Sequence, residues 1–256
     1  MSFELTIIIP VYNEVVQLKK KLNDLRAWQC QFKERIQIIV IDSNSSDQSS
    51  DIFNIITLEK LAEIHYLKQA VDDMRSIGVA LRQACEFARA PRILILPVDV
   101  FISTSQIEQV IYLSMADLSW GCFLKKYNVD SAIMLIYASA QNLIRTMLLH
   151  QAVWTNAIFF NRHLKSEIST AGFLEDVLFC DRLKLHSKGI IFKDAVVVDS
   201  RKYQADGLKK RIFLNGMIML FFRLGYNNIF QLKKLYQGHL SFFEFLKKIV
   251  FRKKSV

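Results

Sequence analysis

Short apolar runs that stop at acidic residues fill the first hundred positions, and they leave few folds open. Leu5–Val11, Ile36–Ile41 and Ile93–Val98 are almost unbroken aliphatic stretches of strand length. Runs of that kind are buried on both faces, as in a parallel sheet. Helix-length segments lie between them, Val15–Trp28, Asp47–Ile56 and Met74–Ala88, the last stopped by Pro91, and Glu63–Leu67 reads as a further strand. The alternation predicts an α/β fold, a mostly parallel sheet with helices on both faces. Ligands of such sheets bind beyond the carboxyl ends of the strands. Here those ends carry Tyr12-Asn13-Glu14, Asp42 and Asp99, so three separate strands offer polar or acidic groups toward one rim.

Beyond Gln106 the pattern is less regular. Helices are expected over Ile107–Met115, Ala132–Leu149 and Phe173–His186, the last closed by Gly189 as a helix-end residue. Strands are expected at Trp120–Leu124, Ala157–Phe160, Ile190–Phe192 and Ala195–Val198. Gly207 marks the boundary between a body, residues 1–207, and a helical tail, residues 208–256. Charge separates the parts more sharply. Residues 201–256 hold 13 Lys/Arg against 2 Asp/Glu, whereas residues 1–200 hold 21 against 22. The tail also carries Phe213, Leu214, Met217, Phe221 and Phe222, then Phe242, Phe243 and Phe245. Basic residues beside an aromatic face predict an in-plane helix drawn to an anionic membrane surface. The blander alternative is an apolar side packed on the body with solvated lysines. The body has no basic face or nucleic-acid-binding motif, so nucleic acid is not an expected partner.

No apolar run reaches the ~20 residues of a spanning helix. Met1-Ser2-Phe3-Glu4 lacks the basic opening of a signal peptide, so none is expected. The four cysteines, at 30, 85, 122 and 180, form no CxxC pair and read as reduced thiols, mostly buried, in a cytoplasmic protein. The five histidines are scattered and read as structural or surface groups, and Trp28 and Trp120 as core. Neither GxGxxG nor GxxxxGK[ST] occurs, and 8 glycines leave little backbone for cradling phosphates. A diphosphate would need another device, such as a divalent cation on a strand-end carboxylate.

Ile7-Ile8-Ile9-Pro10-Val11-Tyr12-Asn13-Glu14 resembles the opening of the family 2 inverting glycosyltransferases of the GT-A fold. Val40-Ile41-Asp42-Ser43-Asn44-Ser45-Ser46-Asp47 is similar to their second motif, and Leu96-Pro97-Val98-Asp99 falls where they carry DxD. Gly172-Phe173-Leu174-Glu175-Asp176 resembles their Glu-Asp motif, and Asp199-Ser200-Arg201-Lys202-Tyr203 the late Ser-x-Arg segment of one bacterial subgroup. The matches run in order from residue 5 to about 207. Two departures stand out. Pro97 occupies the first DxD position, and the Asn that usually follows the family's Arg is missing after Arg75.

The resemblance implies transfer of a sugar from a nucleotide-diphospho-sugar to an acceptor hydroxyl, with inversion and with Mn²⁺ or Mg²⁺. The acceptor would be a saccharide or a lipid-linked one, the setting cell-envelope polysaccharide synthesis, and the location cytoplasmic, peripheral on the inner membrane face. Asp176 becomes the catalytic base, at a helix start where the dipole favours negative charge. Glu175 is its catalytic companion, orienting the acceptor or Asp176. Asp99 is the metal ligand, with Val98 beside it on the donor. Pro10, Tyr12, Glu14 and Asp42 would hold the nucleoside, and Arg75, Arg201 and Tyr203 the diphosphate or acceptor. Trp154 falls in the acceptor region. Asp47 reads as a helix N-cap. Two alternatives remain: a degenerate, non-catalytic nucleotide-sugar-binding relative, and a membrane-surface scaffold acting through its tail. A nucleotidyltransferase ranks low, because Tyr12-Asn13-Glu14 is not its Gly-rich loop.

Overall fold

The computed structural model describes residues 3–49, 51–52, 54, 64–69, 76–114, 119–201, 203, 207–226, 228–241 and 244–245. The chain divides into two compact units, Met1–Asp199 and Ser200–Val256.

The first unit is built on eight strands. These are β1 (Leu5–Val11), β2 (Ile36–Asp42), β3 (Ile64–Lys68), β4 (Arg92–Ile95), β5 (Val100–Phe101), β6 (Trp120–Tyr127), β7 (Phe159–Asn161) and β8 (Ile190–Val198). They form one sheet in the order β3-β2-β1-β4-β7-β6-β8-β5. The first four are parallel, β7 is antiparallel to β4 and β6, and β8 runs parallel to β6 and antiparallel to β5. This is the mixed α/β sheet with flanking helices of the GT-A fold, with more antiparallel pairing in its second half than an uninterrupted βα alternation gives.

Alternation along the strands sorts two cores. Leu5, Ile7 and Ile9 of β1 join Ile36, Ile38 and Val40 of β2 on one face. Ile8, Ile39 and Ile41 point to the other. The first face is covered by α1 (Val15–Phe32), which buries Leu18, Leu22, Leu25, Trp28 and Phe32 at helical spacing, and by α3 (Thr104–Ile111). The second is covered by α2 (Ile77–Glu86) and α5 (Glu175–His186). Trp28 and Trp120 are core residues as expected, and the four cysteines are free thiols, three of them buried.

Three local features depart from the sequence reading. Ile190–Phe192 and Ala195–Val198 are one strand, because the register against β6 skips Lys193 and Asp194, which bulge outward, exposed. Gly189 does not end a helix: α5 stops at His186, and Gly189 instead seats the Trp120 ring, where a Cβ would come within 2.6 Å. Trp120 cannot swing away, since its indole N–H donates to the Ser187 carbonyl at 2.9 Å. The segment expected as one α-helix over Ala132–Leu149 is α4 (Ala132–Ala140) followed by a π-helical stretch, Gln141–Leu148.

The second unit contains α6 (Leu208–Arg223) and α7 (Ile229–Tyr236). Arg211 stacks over Tyr236, and Phe245 meets Phe221 and Tyr226 edge to face. Phe213, Leu220, Leu224 and Phe230 stay exposed. Among the described residues, no helix is long and apolar enough to cross a membrane.

Candidate active site

The strand order fixes where a ligand fits. Chain connections leave β1 toward β2 and β3 on one side, then return to β4 on the other, so the switch point, where a ligand crevice is expected in such sheets, lies beyond the carboxyl ends of β1 and β4. Pairing of β1 with β4 stops at Ile8–Ile95, whereas pairing with β2 continues to Val11–Asp42. Pro10 therefore falls where β1 and β4 have parted, and its missing N–H costs the sheet nothing. Tyr12, half exposed, follows on one side of the crevice; the turn Pro97–Val100, closed by Val100 N–H to the Pro97 carbonyl at 3.0 Å, follows on the other. The Val98 side chain joins the first core. Asp99 is buried, and its carbonyl accepts the Asp199 N–H at 2.9 Å.

The loop after β1 is zipped to the loop after β2. Asn13, in a left-handed conformation, accepts the Ser46 N–H at 2.8 Å and donates its own N–H to Ser45 Oγ at 2.8 Å. Asp47 accepts from Ser49 N–H, as an N-cap does, and also from Val15 N–H at 2.9 Å, tying in α1. Asp42 is buried. One carboxylate oxygen accepts from the Ser45 N–H and hydroxyl, the other from the Tyr66 hydroxyl at 2.9 Å. Burial and that bond push the Tyr66 phenol well above its ordinary range. Asp42 thus holds the rim together from within. Glu14, also buried, starts α1 by accepting the Leu18 N–H through its carbonyl.

The Glu-Asp pair divides its labour. Glu175 is buried and accepts from Ser76 Oγ, Gly78 N–H and Gly172 N–H, the last two at 2.9 Å. Ser76 in turn caps α2 through the Val79 N–H. The carboxylate therefore neutralises the start of α2 and clasps the 169–174 loop to it. Gly78 has to be glycine: a Cβ would lie 1.9 Å from the Ser169 carbonyl. Glu175, expected to orient the acceptor or Asp176, is held in this interior clasp next to Asp176. The cost appears at Leu174, held left-handed at φ 53° before α5, a strain of roughly 1–3 kcal/mol. Asp176, half-buried, stands in the first turn and accepts the Val177 N–H at 2.8 Å.

The sequence reading missed one buried charged group. The Lys125 ammonium is buried on β6 and donates toward Thr155 Oγ1 at 3.5 Å. Burial, with the nearby Arg145 cation adding to it, holds its pKa down at about 7, while the carboxylates of Asp176 and Asp99 pull it back up. Asp99 also acts on Lys21, buried between α1 and β5, which donates to the Val100 carbonyl at 2.6 Å. β6 leaves β7 after Gly121, and side chains complete its bare edge. Asn156 donates to the Phe123 carbonyl; Asn142, on the π-helical turn, bonds both the N–H and the carbonyl of Lys125. The one legible signal was a lysine directly after the apolar strand expected at Trp120–Leu124, which in the structure continues to Tyr127.

The remaining candidates separate. Trp154, expected to meet the acceptor, is a core residue instead, its ring against Phe179 at 5.5 Å. Arg75 lies outside the described residues. Arg201 and Tyr203 belong to the second unit, where the Tyr203 N–H bonds the Ser200 carbonyl. Among the described residues, no group of three His, Cys, Asp or Glu is placed to hold a metal ion.

The family model for glycosyl transferase family 2 matches residues 6–167. The chain belongs to this family. Solved structures share its fold at low identity. A mannosyltransferase, PcManGT from Pyrobaculum calidifontis, in complex with GDP-Man and Mn²⁺, is 16% identical with a TM-score of 0.62, over 94% of this chain and 71% of that one. TarS residues 1–349 of S. aureus, with UDP-GlcNAc, is 15% identical with a TM-score of 0.57, over 76% of this chain but 58% of that one. Glucosyl-3-phosphoglycerate synthase of Mycobacterium tuberculosis, with Mn²⁺, UDP and glucosyl-3-phosphoglycerate, is 12% identical with a TM-score of 0.57, over 88% and 80%. No curated protein matches by sequence.

Two stability measurements check the site. Glu175→Gln should lower stability by roughly 2–3 kcal/mol in urea melts, because an amide nitrogen then faces an N–H or hydroxyl donor; unchanged stability would return Glu175 to the substrate side. For Lys125 the sign follows from its lowered pKa. Between about pH 7 and the ordinary 10.5, the unfolded chain binds a proton that the folded chain does not, so stability rises with pH across that window. Lys125→Met should therefore stabilise the protein at pH 7 by about 1–4 kcal/mol, with the gain shrinking toward pH 10.

Proposed function

We propose that the protein transfers a sugar from a nucleotide-diphospho-sugar to an acceptor hydroxyl with inversion at the anomeric carbon. The observation that carries this reading is a family 2 chain whose sheet puts the Asp99 turn just beyond β4, at the switch point beside β1, and whose Glu175 clasp fixes the start of α5 where Asp176 stands. Two carboxylates and a cation are the charges the reaction uses. Asp176 takes the proton of the acceptor hydroxyl as its oxygen attacks the anomeric carbon. The bond from that carbon to the diphosphate oxygen breaks, its electron pair leaving with the nucleoside diphosphate. Attack and departure on opposite faces give inversion. Glu175 holds Asp176 in place, and the turn bearing Asp99 meets the diphosphate with Lys125 nearby to balance its charge.

A divalent cation fits Asp99 in a restricted way. Pro97 stands in place of a second carboxylate, and among the described residues no three ligating groups form a cage. Mn²⁺ or Mg²⁺ bound mainly by phosphate oxygens and water needs only one or two carboxylates, which Asp99 supplies. When bound it would neutralise charge on the departing diphosphate.

The cytoplasmic face of a membrane is the proposed setting, with an acceptor that is a saccharide, free or lipid-linked. The net charge of the tail and its exposed Phe213, Leu220, Leu224 and Phe230 support contact of residues 208–256 with anionic lipid. Pro97, and the inward hydrogen bonds of Asp42, favour a second reading, a relative that binds a nucleotide sugar without turning it over. Donor turnover assayed across UDP, GDP, CDP and dTDP sugars, with and without Mn²⁺, separates the two. Asp176→Asn should lower turnover by about 10²–10⁴-fold while leaving donor affinity within about threefold. A wild-type chain inert toward every donor would establish the second reading.

A further inference from the structure

The helical segment from Ala132 to Leu149 has an outer face on which Ser139 is the one exposed polar residue. Leu135, Ile136, Leu143, Ile144, Leu148 and Leu149 are each 50–68% exposed, and the other exposed positions in the segment are Ala132, Ile133, Ser139, Ala140 and Met147. The inner face packs Met134, Ala138 and Thr146 at four-residue spacing and turns Asn142 and Arg145 toward Lys125. This is the reverse of a surface helix, which buries its apolar stripe and solvates the other. So continuous an apolar surface marks contact with a partner or a membrane.

Its charge surroundings choose between these. No Asp or Glu occurs from Ser131 to Ser166. At the end of the segment Lys184 donates to the Leu149 carbonyl at 3.4 Å and pairs with Asp181, and Lys184 and Lys188 both act on His150. Leu185, 85% exposed, lies between these two lysines in sequence. A protein partner would find a single side-chain hydrogen-bonding group exposed on the face, the Ser139 hydroxyl, although protein interfaces ordinarily carry about one hydrogen bond per 100–200 Å². A second copy would oppose cationic rims with no acid on the face to pair them. An anionic bilayer offers an apolar medium for the face and negative headgroups for the rim.

We propose that Ala132–Leu149 is an in-plane membrane-docking element, seated in the acyl boundary of an anionic lipid surface and acting independently of the basic tail. It does not rest on the transferase reading, since lipid binding needs no donor. The test is flotation of the full chain with vesicles of phosphatidylcholine containing about 30% phosphatidylglycerol. The wild type and a Phe87→Glu control, charged at an exposed site elsewhere, should float. The combined variant Ile136→Glu, Leu143→Glu, Leu148→Glu, altered only at exposed positions and checked for unchanged melting, should lose about tenfold or more in binding although its tail is intact. The inference is overturned if that variant floats like the wild type, or if the wild type does not float. It is equally overturned if light scattering finds a vesicle-free wild-type dimer that the variant turns into a monomer, since a second copy would then cover the face.

Discussion

A lysine ammonium removed from water organises the first unit. A fall in the Lys125 pKa from 10.5 to about 7 corresponds to roughly 5 kcal/mol in favour of the neutral amine. That is a third or more of the net stability of an ordinary domain. That net shift already includes the opposing pull of the Asp176 and Asp99 carboxylates. Asn142 and Asn156 fix the backbone around it, completing the edge of β6 where β7 has left it. A low-dielectric setting also makes each charge count for more than it would in water. The arrangement is therefore expensive to fold.

The second constraint is the Glu175 clasp. A carboxylate that satisfies three donors from two segments sets the position of α5 against α2, and with it the place of Asp176. Gly78 and the left-handed Leu174 are the local costs of that closeness. Adjacent acidic residues, which look alike in sequence, thus have opposite fates: one buried as scaffold, the other half-exposed at the start of the helix.

The parts of the fold written in local patterns were legible. Apolar runs gave β1, β2 and β4, and because side chains alternate along a strand, the same runs fed both cores. The rim at Tyr12, Asp42 and Asp99 followed from where those runs stop. What was not legible depends on contacts between distant segments. Nothing near residue 125 signals that its charge will be met by Asp99 and Asp176, or that Asn142 and Asn156 will stand in for a missing strand. Gly189 carries the letter of a helix end and serves instead as a seat for Trp120. Trp154 lies beside candidate polar residues in sequence but turns into the core against Phe179. The outward apolar face of Ala132–Leu149 was hidden for a related reason, since periodicity tells that a helix has an apolar stripe but not which side the protein covers.

The proposed transfer requires Asp99, Lys125 and Asp176 to share one donor site at the β1–β4 crevice. A crystal structure of the full chain with a nucleotide-diphospho-sugar and Mn²⁺ tests this most directly. The diphosphate is predicted beside Asp99 and Lys125, with the anomeric carbon between it and Asp176. A donor bound away from that crevice, or carboxylates of Asp99 and Asp176 turned away from the same ligand, would contradict it.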